Sequence, residues 1–138
     1  MAMVPPKDAL QLYFSKAFDF KTRATRAEFW IPTTIIYVGG LFFSNAGSAA
    51  SDIFILIVQV LIGVPAIALT VRRLHDIDMS GWWLLLLPSA APVAIFAEYI
   101  GMGGYSAVPM GLIIIAFYIL MLLPSVKITN KYGPSPNN

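Results

Sequence analysis

The sequence contains no cysteine, a single histidine and few charged residues. The absence of cysteine excludes disulfides, covalent haem attachment and thiolate metal sites. Nine basic and seven acidic residues among 138 make a charged fraction of 12%, against roughly 25% in soluble domains. A soluble domain needs a polar surface, and this chain lacks the charges to make one.

Apolar residues are in excess instead, at 58% of the chain, and they are concentrated in four long blocks. The blocks are residues 29–46, 53–71, 82–100 and 108–126. A helix of about 20 residues crosses the hydrocarbon core of a bilayer, and the alternating pattern of barrel strands is absent. The sequence therefore predicts an all-α integral membrane protein, a bundle of four transmembrane helices in a single membrane domain over residues 1–138.

All the basic residues lie on one side of these predicted spans. Five precede the first span, two lie between the second and third, and two follow the fourth. Because cytoplasmic loops carry the excess of lysine and arginine, this distribution places both termini in the cytoplasm. No long apolar stretch precedes the first span, so we expect no cleaved signal peptide. The polar tail, residues 127–138, is expected to be irregular.

Residues 8–20 have the apolar spacing of a short amphipathic helix. Leu10, Tyr13, Phe14, Ala17 and Phe18 recur at intervals of three and four residues. Such a helix either lies in the cytoplasmic interface of the membrane or packs under the bundle, and the sequence favours the two placements equally.

The segment RRLHDIDMSGWW, residues 72–83, concentrates charge between two apolar blocks. If the second helix continues into it, Asp76 is within ion-pairing reach of both Arg72 and Arg73. At the end of a span these arginines are expected to extend towards lipid phosphates. The turn that follows contains Ser80 and Gly81.

Three separated segments carry a resemblance to a known family. They are FDFKTRATRAEFW at residues 18–30, RRLHDIDMSGWW at 72–83 and NKYGPSP at 130–136. In order and spacing they resemble the family called domain of unknown function 805, small bacterial inner-membrane proteins. The resemblance covers nearly the whole chain. It implies a multi-pass protein of the bacterial inner (cytoplasmic) membrane and supplies no established activity.

Two positions depart from that family's pattern. Thr22 stands where the family usually has glycine before the first arginine, and Asp78 stands where it often has glycine in the central segment. Both positions lie in expected turns, where glycine adopts backbone conformations that other residues disfavour.

The central segment offers little for catalysis. His75 titrates near neutral pH and binds metals, but no second histidine and no cysteine is available as a ligand. An acid–base pair of His75 with Asp76 needs a nucleophile, and only Ser80 is adjacent, without a nucleophile-elbow sequence around it. We therefore expect no enzyme, no metal and no cofactor.

The three segments are expected to share the cytoplasmic face of the membrane, where Trp82 and Trp83 would lie at headgroup level. There an ion-paired network among Arg26, Glu28, Arg73 and Asp76 would lock the helix ends, and the rival interpretation is a docking surface for a protein or lipid headgroup. The candidate residues are Arg23, Arg26, Glu28, Trp30, Arg72, Arg73, His75, Asp76, Ser80, Gly81, Trp82, Trp83, Asn130 and Tyr132.

The sequence favours a non-enzymatic accessory or assembly subunit of a larger membrane complex, with membrane lipids and another integral membrane protein as partners. No basic patch with interleaved aromatics indicates nucleic-acid binding, and a homo-oligomer is compatible with the pattern. The alternative is a small oligomeric transporter or channel for ions or small solutes. It would use the intramembrane polar residues Gln59 and Glu98, and Pro88 and Pro92 predict a kink in its third span.

Overall fold

The computed structural model describes residues 5–43, 52–102 and 107–136, and its secondary structure is helical apart from one isolated bridge between Asn130 and Gly133. In these segments five α-helices follow one another, with a 3₁₀ helix between the third and fourth. Their bounds are α1 Pro6–Ser15, α2 Arg26–Phe43, α3 Asp52–Asp76, the 3₁₀ helix Gly81–Leu86, α4 Ala90–Tyr99 and α5 Ala107–Leu122. The predicted all-α class is confirmed for the described residues.

Two helical stretches of the described chain are long and apolar enough to cross a membrane. They are Leu56–Asp76 and Gly81–Tyr99, and Ala107–Leu122 is a shorter apolar helix. The end of the first predicted span, residues 44–46, lies outside the described residues. This architecture agrees with a membrane helical bundle, whereas the count of four spans and the cytoplasmic termini stay predictions.

α2 begins at Arg26, three residues before the predicted span, because Thr25 and Glu28 form a capping box. The Thr25 hydroxyl accepts a hydrogen bond from the Glu28 N–H at 3.1 Å, and the Glu28 carboxylate accepts one from the Thr25 N–H at 3.4 Å. Thr-x-x-Glu is the sequence signature of this cap, which satisfies N–H groups that have no partner inside the helix.

α3 continues past its predicted end and stops in a Schellman motif. The Met79 N–H donates to the Leu74 carbonyl at 2.9 Å, and the Asp78 N–H donates to the His75 carbonyl at 3.1 Å. Asp78 has a φ of 62°, in the left-handed region that suits glycine best and that aspartate tolerates. This geometry accounts for the glycine that the family resemblance leads one to expect at this position.

The third predicted helix, residues 82–100, coincides with the helical stretch Gly81–Tyr99 but is irregular along its length. It consists of a 3₁₀ helix, a turn at residues 87–89 and α4. Pro88 has no N–H for the Leu84 carbonyl, which accepts instead from Leu87 at 3.2 Å; Pro92 likewise leaves the Pro88 carbonyl to Ala91, also at 3.2 Å. The two prolines therefore shorten the hydrogen-bond step and make the helix irregular in the region where the sequence predicts a kink.

α5 ends at Leu122, four residues before the predicted end of the fourth span. Pro124 cannot donate to the Leu120 carbonyl, and it disfavours helical geometry at Leu123. The Leu123 N–H therefore donates to Leu120 in a tighter final turn, at 3.1 Å.

The amphipathic segment forms a shorter helix than predicted, ending at Ser15 rather than at residue 20. Its buried face, Ala9 and Tyr13, packs against α2 and α3. The Tyr13 hydroxyl donates to the Ile62 carbonyl of α3, one turn before Pro65 interrupts that helix's hydrogen-bond ladder. Of the two expected placements, the structure shows packing against the bundle.

The apolar core lies beside the start of α2 and the ends of α3 and α5. Its buried members are Tyr13, Ala24, Phe29, Leu69, Leu74, Phe117 and Met121. By contrast, none of the most apolar stretch of Gly81–Tyr99 is buried. Within the described part of the chain, the bundle is therefore well packed at one end and open along its third segment.

We predict that Gly81→Ala destabilises the fold. An added Cβ would lie 2.8 Å from Cγ1 of Val71, whose β-branched side chain has little freedom to move away. We expect a loss of about 1–3 kcal/mol, measured by thermal unfolding in detergent. Gly111→Ala is the control, because its Cβ would meet nothing within 4 Å. Equal melting of the two variants would contradict the close contact.

Candidate functional site

Three segments that are distant in sequence meet where α2 begins and α3 and α5 end. The Ala24 N–H donates to the Arg72 carbonyl, and the Val126 N–H donates to the Asp76 carbonyl, both at 3.1 Å. Five charged side chains at this meeting point, between 0% and 5% exposed, form what we call the arginine cluster. Its members are Arg23, Glu28, Arg72, Arg73 and Asp76.

Asp76 lies between two guanidinium groups. Arg23 Nη2 is 3.0 Å from Oδ1 of Asp76, and Arg73 Nη1 bonds the other carboxylate oxygen. A carboxylate at the C-terminus of a helix is opposed by the helix dipole, and a buried one is costly unless it is paired. The two arginines compensate both effects and make Asp76 the centre of the cluster.

Arg23 joins the α1–α2 connection to the tail after α5. Its Nη1 donates to the carbonyls of Ile128 at 3.0 Å and Gly133 at 3.2 Å, and its Nη2 donates to Val126 and, at 3.3 Å, to the backbone of Asp76. The planar guanidinium suits this task because its five N–H groups point in fixed directions. The tail is thereby held against the end of α3.

Arg73 caps the C-terminal end of α5. Its Nε and Nη2 donate to the Met121 carbonyl at 3.2 and 3.1 Å, and Nη2 also bonds the Leu123 carbonyl. Arg26, which is exposed, adds a 3.0 Å hydrogen bond from Nε to Leu123. The last carbonyls of a helix lack internal partners and carry partial negative charge, so two cations there stabilise the end of α5.

Arg72 pairs with Glu28 through Nη1 and Oε1 at 2.9 Å. The partner expected from helical spacing was Asp76, and the expected network paired Arg26 rather than Arg72 with the carboxylates. Arg72 and Arg73 are 0% exposed, so neither extends towards lipid phosphates as expected. The reason is that α3 continues through both residues while the α1–α2 connection and the tail fold over them.

His75 faces the tail rather than the Asp76 carboxylate. Its ring stacks on that of Tyr132 at 3.6 Å and 4°, and its carbonyl accepts from Asn130 Nδ2 at 2.8 Å. Because Asp76 is engaged by arginines, the two adjacent residues form no acid–base pair. No group of three histidine, cysteine or acidic residues that could hold a metal ion occurs in the described segments.

Asp19 and Thr22 form a hydrogen-bonded turn in the connection before α2. Asp19 accepts from the N–H groups of Lys21 and Thr22 and from the Thr22 hydroxyl. Partial burial acts to raise the pKa of Asp19, but these three hydrogen bonds outweigh it and hold that pKa below its usual value. Thr22 therefore stabilises by its side chain a turn in which the family pattern has glycine.

The remaining candidates lie around the cluster or away from it. Ser80 caps the 3₁₀ helix by accepting from the Trp82 N–H at 3.4 Å. Trp82 and Trp83 are 78% and 49% exposed. Trp30 packs against the ring of Tyr118 of α5, with centroids 5.8 Å apart.

The intramembrane polar candidates are not brought together. Gln59 of α3 and Glu98 of α4 are both exposed, and neither contributes to the arginine cluster. Sequence reasoning also missed the backbone carbonyls that the arginines bind, for which no sequence signal exists. The Thr25–Glu28 cap had a signal, the Thr-x-x-Glu spacing.

Known proteins are similar to this chain over most of its length. A family described as "Protein of unknown function (DUF805)" matches residues 17–134, which contain the first two of the three segments and most of the third. The inner membrane protein YhaH of Escherichia coli (strain K12) is 33% identical over 124 residues, covering 85% of this chain and 86% of that protein. The uncharacterized protein YiiR of the same strain is 40% identical over 75 residues, covering 51% of this chain and 49% of that protein. No solved structure matches the chain.

We predict that Glu28→Ala lowers stability by about 3–5 kcal/mol, because it leaves Arg72 buried without its carboxylate. Glu28→Gln keeps an oxygen for the Thr25 cap and removes only the charge, so it should lose less. Melting in detergent measures both variants, and Glu98→Ala, which alters an exposed carboxylate, should change stability by no more than about 0.5 kcal/mol. Unchanged melting of both Glu28 variants would refute a structural role for the pair.

Arg23→Lys is expected to release the tail while keeping the charge. A single ammonium group cannot reach Asp76 and three tail carbonyls at once. We expect backbone amides of residues 126–133 to exchange with deuterium about tenfold faster or more, because charged hydrogen bonds contribute about 1.5–3 kcal/mol each. Lys127→Ala, an exposed cation of the same tail, is the control. Equal exchange in the two variants would count against this anchoring.

Proposed function

The chain belongs to the DUF805 family of proteins of unknown function, and we propose for it a role in which the arginine cluster is structural. The role is that of a non-enzymatic inner-membrane protein, an accessory or assembly subunit that presents one basic face to lipid headgroups or to a larger membrane complex.

The observation that carries this proposal is the internal use of the arginine cluster. Both carboxylates are paired with arginines, and Arg23 and Arg73 bind backbone carbonyls of the α5–tail region. A catalytic or transport site needs polar groups that face a substrate, whereas both carboxylates and most guanidinium nitrogens of the cluster bond one another or the backbone. The cluster therefore joins the helix ends and the tail, and this joined region, which we call the frame, positions the surface around it.

The surface around the frame combines exposed apolar side chains with lysines. Phe18, Trp82 and Ile128 are 81%, 78% and 73% exposed. Lys21 is exposed in the segment of Phe18, and Lys127 and Lys131 are exposed in that of Ile128. Lysine attracts anionic headgroups and aromatic side chains favour the headgroup region. This combination supports contact with the membrane surface or with a partner embedded there.

Location and orientation are supported by two further observations. A relative that shares most of its length with this chain is named an inner membrane protein. The start of α2 and the ends of α3 and α5 lie at the arginine cluster, near the basic segments, as expected if each helix crosses once and the cluster lies on the cytoplasmic side.

A small oligomeric transporter or channel is the alternative function. Gln59 and Glu98 are exposed on the outside of the described helices, so a path using them would form between copies of the chain rather than within one. A solute-flux assay in liposomes with Glu98→Ala tests that alternative directly.

The proposed role is tested by photo-crosslinking in the native membrane. A photoreactive amino acid replaces Phe18 or Ile128, and Tyr99, an exposed residue of α4 at 87%, serves as the control position. After gentle extraction through a C-terminal tag, mass spectrometry identifies what is attached. We expect one integral membrane protein to be captured in stoichiometric amount from Phe18 or Ile128 and not from Tyr99.

Capture of only lipid or of a second copy of the chain at all three positions would overturn the accessory-subunit role. Capture of the same partner from Tyr99 alone would mean that the partner binds near α4, and it would contradict binding at the face beside the arginine cluster.

A further inference from the structure

A cavity of about 380 Å³ lies inside the bundle beside the apolar core. Its walls come from α1, α2, α3, the 3₁₀ helix and α5, and it is partly open, with the exposed side chains of Tyr37 and Ile67 in its lining. This volume falls in the range of ligand pockets, roughly 300–1,000 Å³. Protein interiors are close-packed and contain few voids of this size. We therefore consider what could occupy the cavity.

The polar groups on the cavity wall are largely satisfied. Thr33 donates to the Phe29 carbonyl at 2.6 Å, and Thr70 donates to the Ala66 carbonyl at 2.7 Å. Such back-bonded hydroxyls present mainly their methyl groups. The occupant must therefore be mostly apolar.

Donor groups follow one face of α2 from the arginine cluster to the cavity. Arg26, Trp30, Thr33 and Tyr37 are spaced by four, three and four residues, which places them on one side of the helix. Arg26 to Tyr37 is 11 residues, or about 16 Å along the axis, roughly half of the ~30 Å hydrocarbon core. The stripe therefore runs from the expected headgroup level to the middle of the membrane.

Two groups on this stripe have hydrogen-bonding capacity to spare. The indole N–H of Trp30 is enclosed and has no acceptor among the described residues. The hydroxyls of Tyr37 and Tyr118 bond each other, and since only one hydrogen lies between them, the second hydroxyl hydrogen remains for another acceptor. A buried donor without an acceptor is unfavourable.

We propose that the α2–α5 side of the bundle binds one anionic phospholipid. One acyl chain lies in the cavity, the phosphate lies at the exposed guanidinium of Arg26, and the ester region lies at the level of Trp30. The apolar walls select an acyl chain, the lateral opening gives access from the bilayer, and Arg26 supplies charge complementarity. The inference rests on the proposed membrane placement and deepens its lipid-contact part.

The fluorescence of Trp30 can be used to measure lipid binding. The protein has three tryptophans, and replacing the exposed pair by Trp82→Phe and Trp83→Phe leaves Trp30 as the single fluorophore. The protein is reconstituted in phosphatidylcholine vesicles with rising fractions of phosphatidylglycerol or phosphatidylcholine brominated on the acyl chains. We expect brominated phosphatidylglycerol to half-quench Trp30 at about a fivefold lower fraction than brominated phosphatidylcholine.

Two variants separate the acyl chain from the headgroup. Ala66→Phe fills the cavity and should remove the strong quenching by both lipids, whereas Val60→Phe, on the exposed face of the same helix, should leave it intact. Arg26→Gln, an exposed position, should retain quenching but abolish the preference for phosphatidylglycerol. Melting temperatures of all variants show that the fold is kept.

Equal quenching by the two brominated lipids in the parent protein would overturn the anionic selectivity. Unchanged quenching in Ala66→Phe would overturn the cavity as the binding place. Crosslinking at Phe18 and Ile128 tests for a protein partner independently of the lipid. If no protein is captured but the preference for phosphatidylglycerol is observed, the proposed role is refuted and this inference is supported.

Discussion

The structure depends on the burial of three guanidinium groups with only two carboxylates. An ion removed from water costs several kcal/mol unless it is paired and hydrogen-bonded, so each arginine needs a partner, although Nε and Nη2 of Arg72 have no acceptor among the described residues. The carboxylates of Glu28 and Asp76 supply part of the acceptors. Backbone carbonyls at the end of α5 and in the tail supply others. The start of α2, the ends of α3 and α5 and the tail therefore have to meet at one place.

This constraint divides the bundle into two unlike halves. Around the arginine cluster the helix ends are bound to one another, and the tail is held by the stacking of Tyr132 on His75. Farther along the helices, α4 is largely exposed and a cavity remains beside α5. Arg73 and Arg26 bind carbonyls at the C-terminal end of α5, and α5 also packs against α4. A lipid in the cavity would complete the packing that side chains leave unfinished.

Local sequence signals explain most of the element boundaries. Thr25 and Glu28 start α2, Asp78 ends α3 in a left-handed turn, and Pro124 ends α5. The third segment shows the limit of hydropathy, because an apolar run of the right length does not report whether its backbone is one helix. Pro88 and Pro92 each remove one ladder hydrogen bond there, four residues apart, so the helix is irregular over that turn.

Composition and hydropathy determined that the chain is helical and suited to a membrane, because apolar blocks of spanning length are a local property of the sequence. The resemblance to the family marked the three segments that meet in the fold. Only the tertiary structure decided that Arg72 binds Glu28 rather than Asp76 and that Arg72 and Arg73 turn away from lipid. For Arg73 the physical reason is that it binds backbone carbonyls at the end of α5, and a carbonyl is the same in every residue, so no side-chain pattern indicates it. For Arg72 the reason is that the fold brings Glu28, which is distant in sequence, next to it.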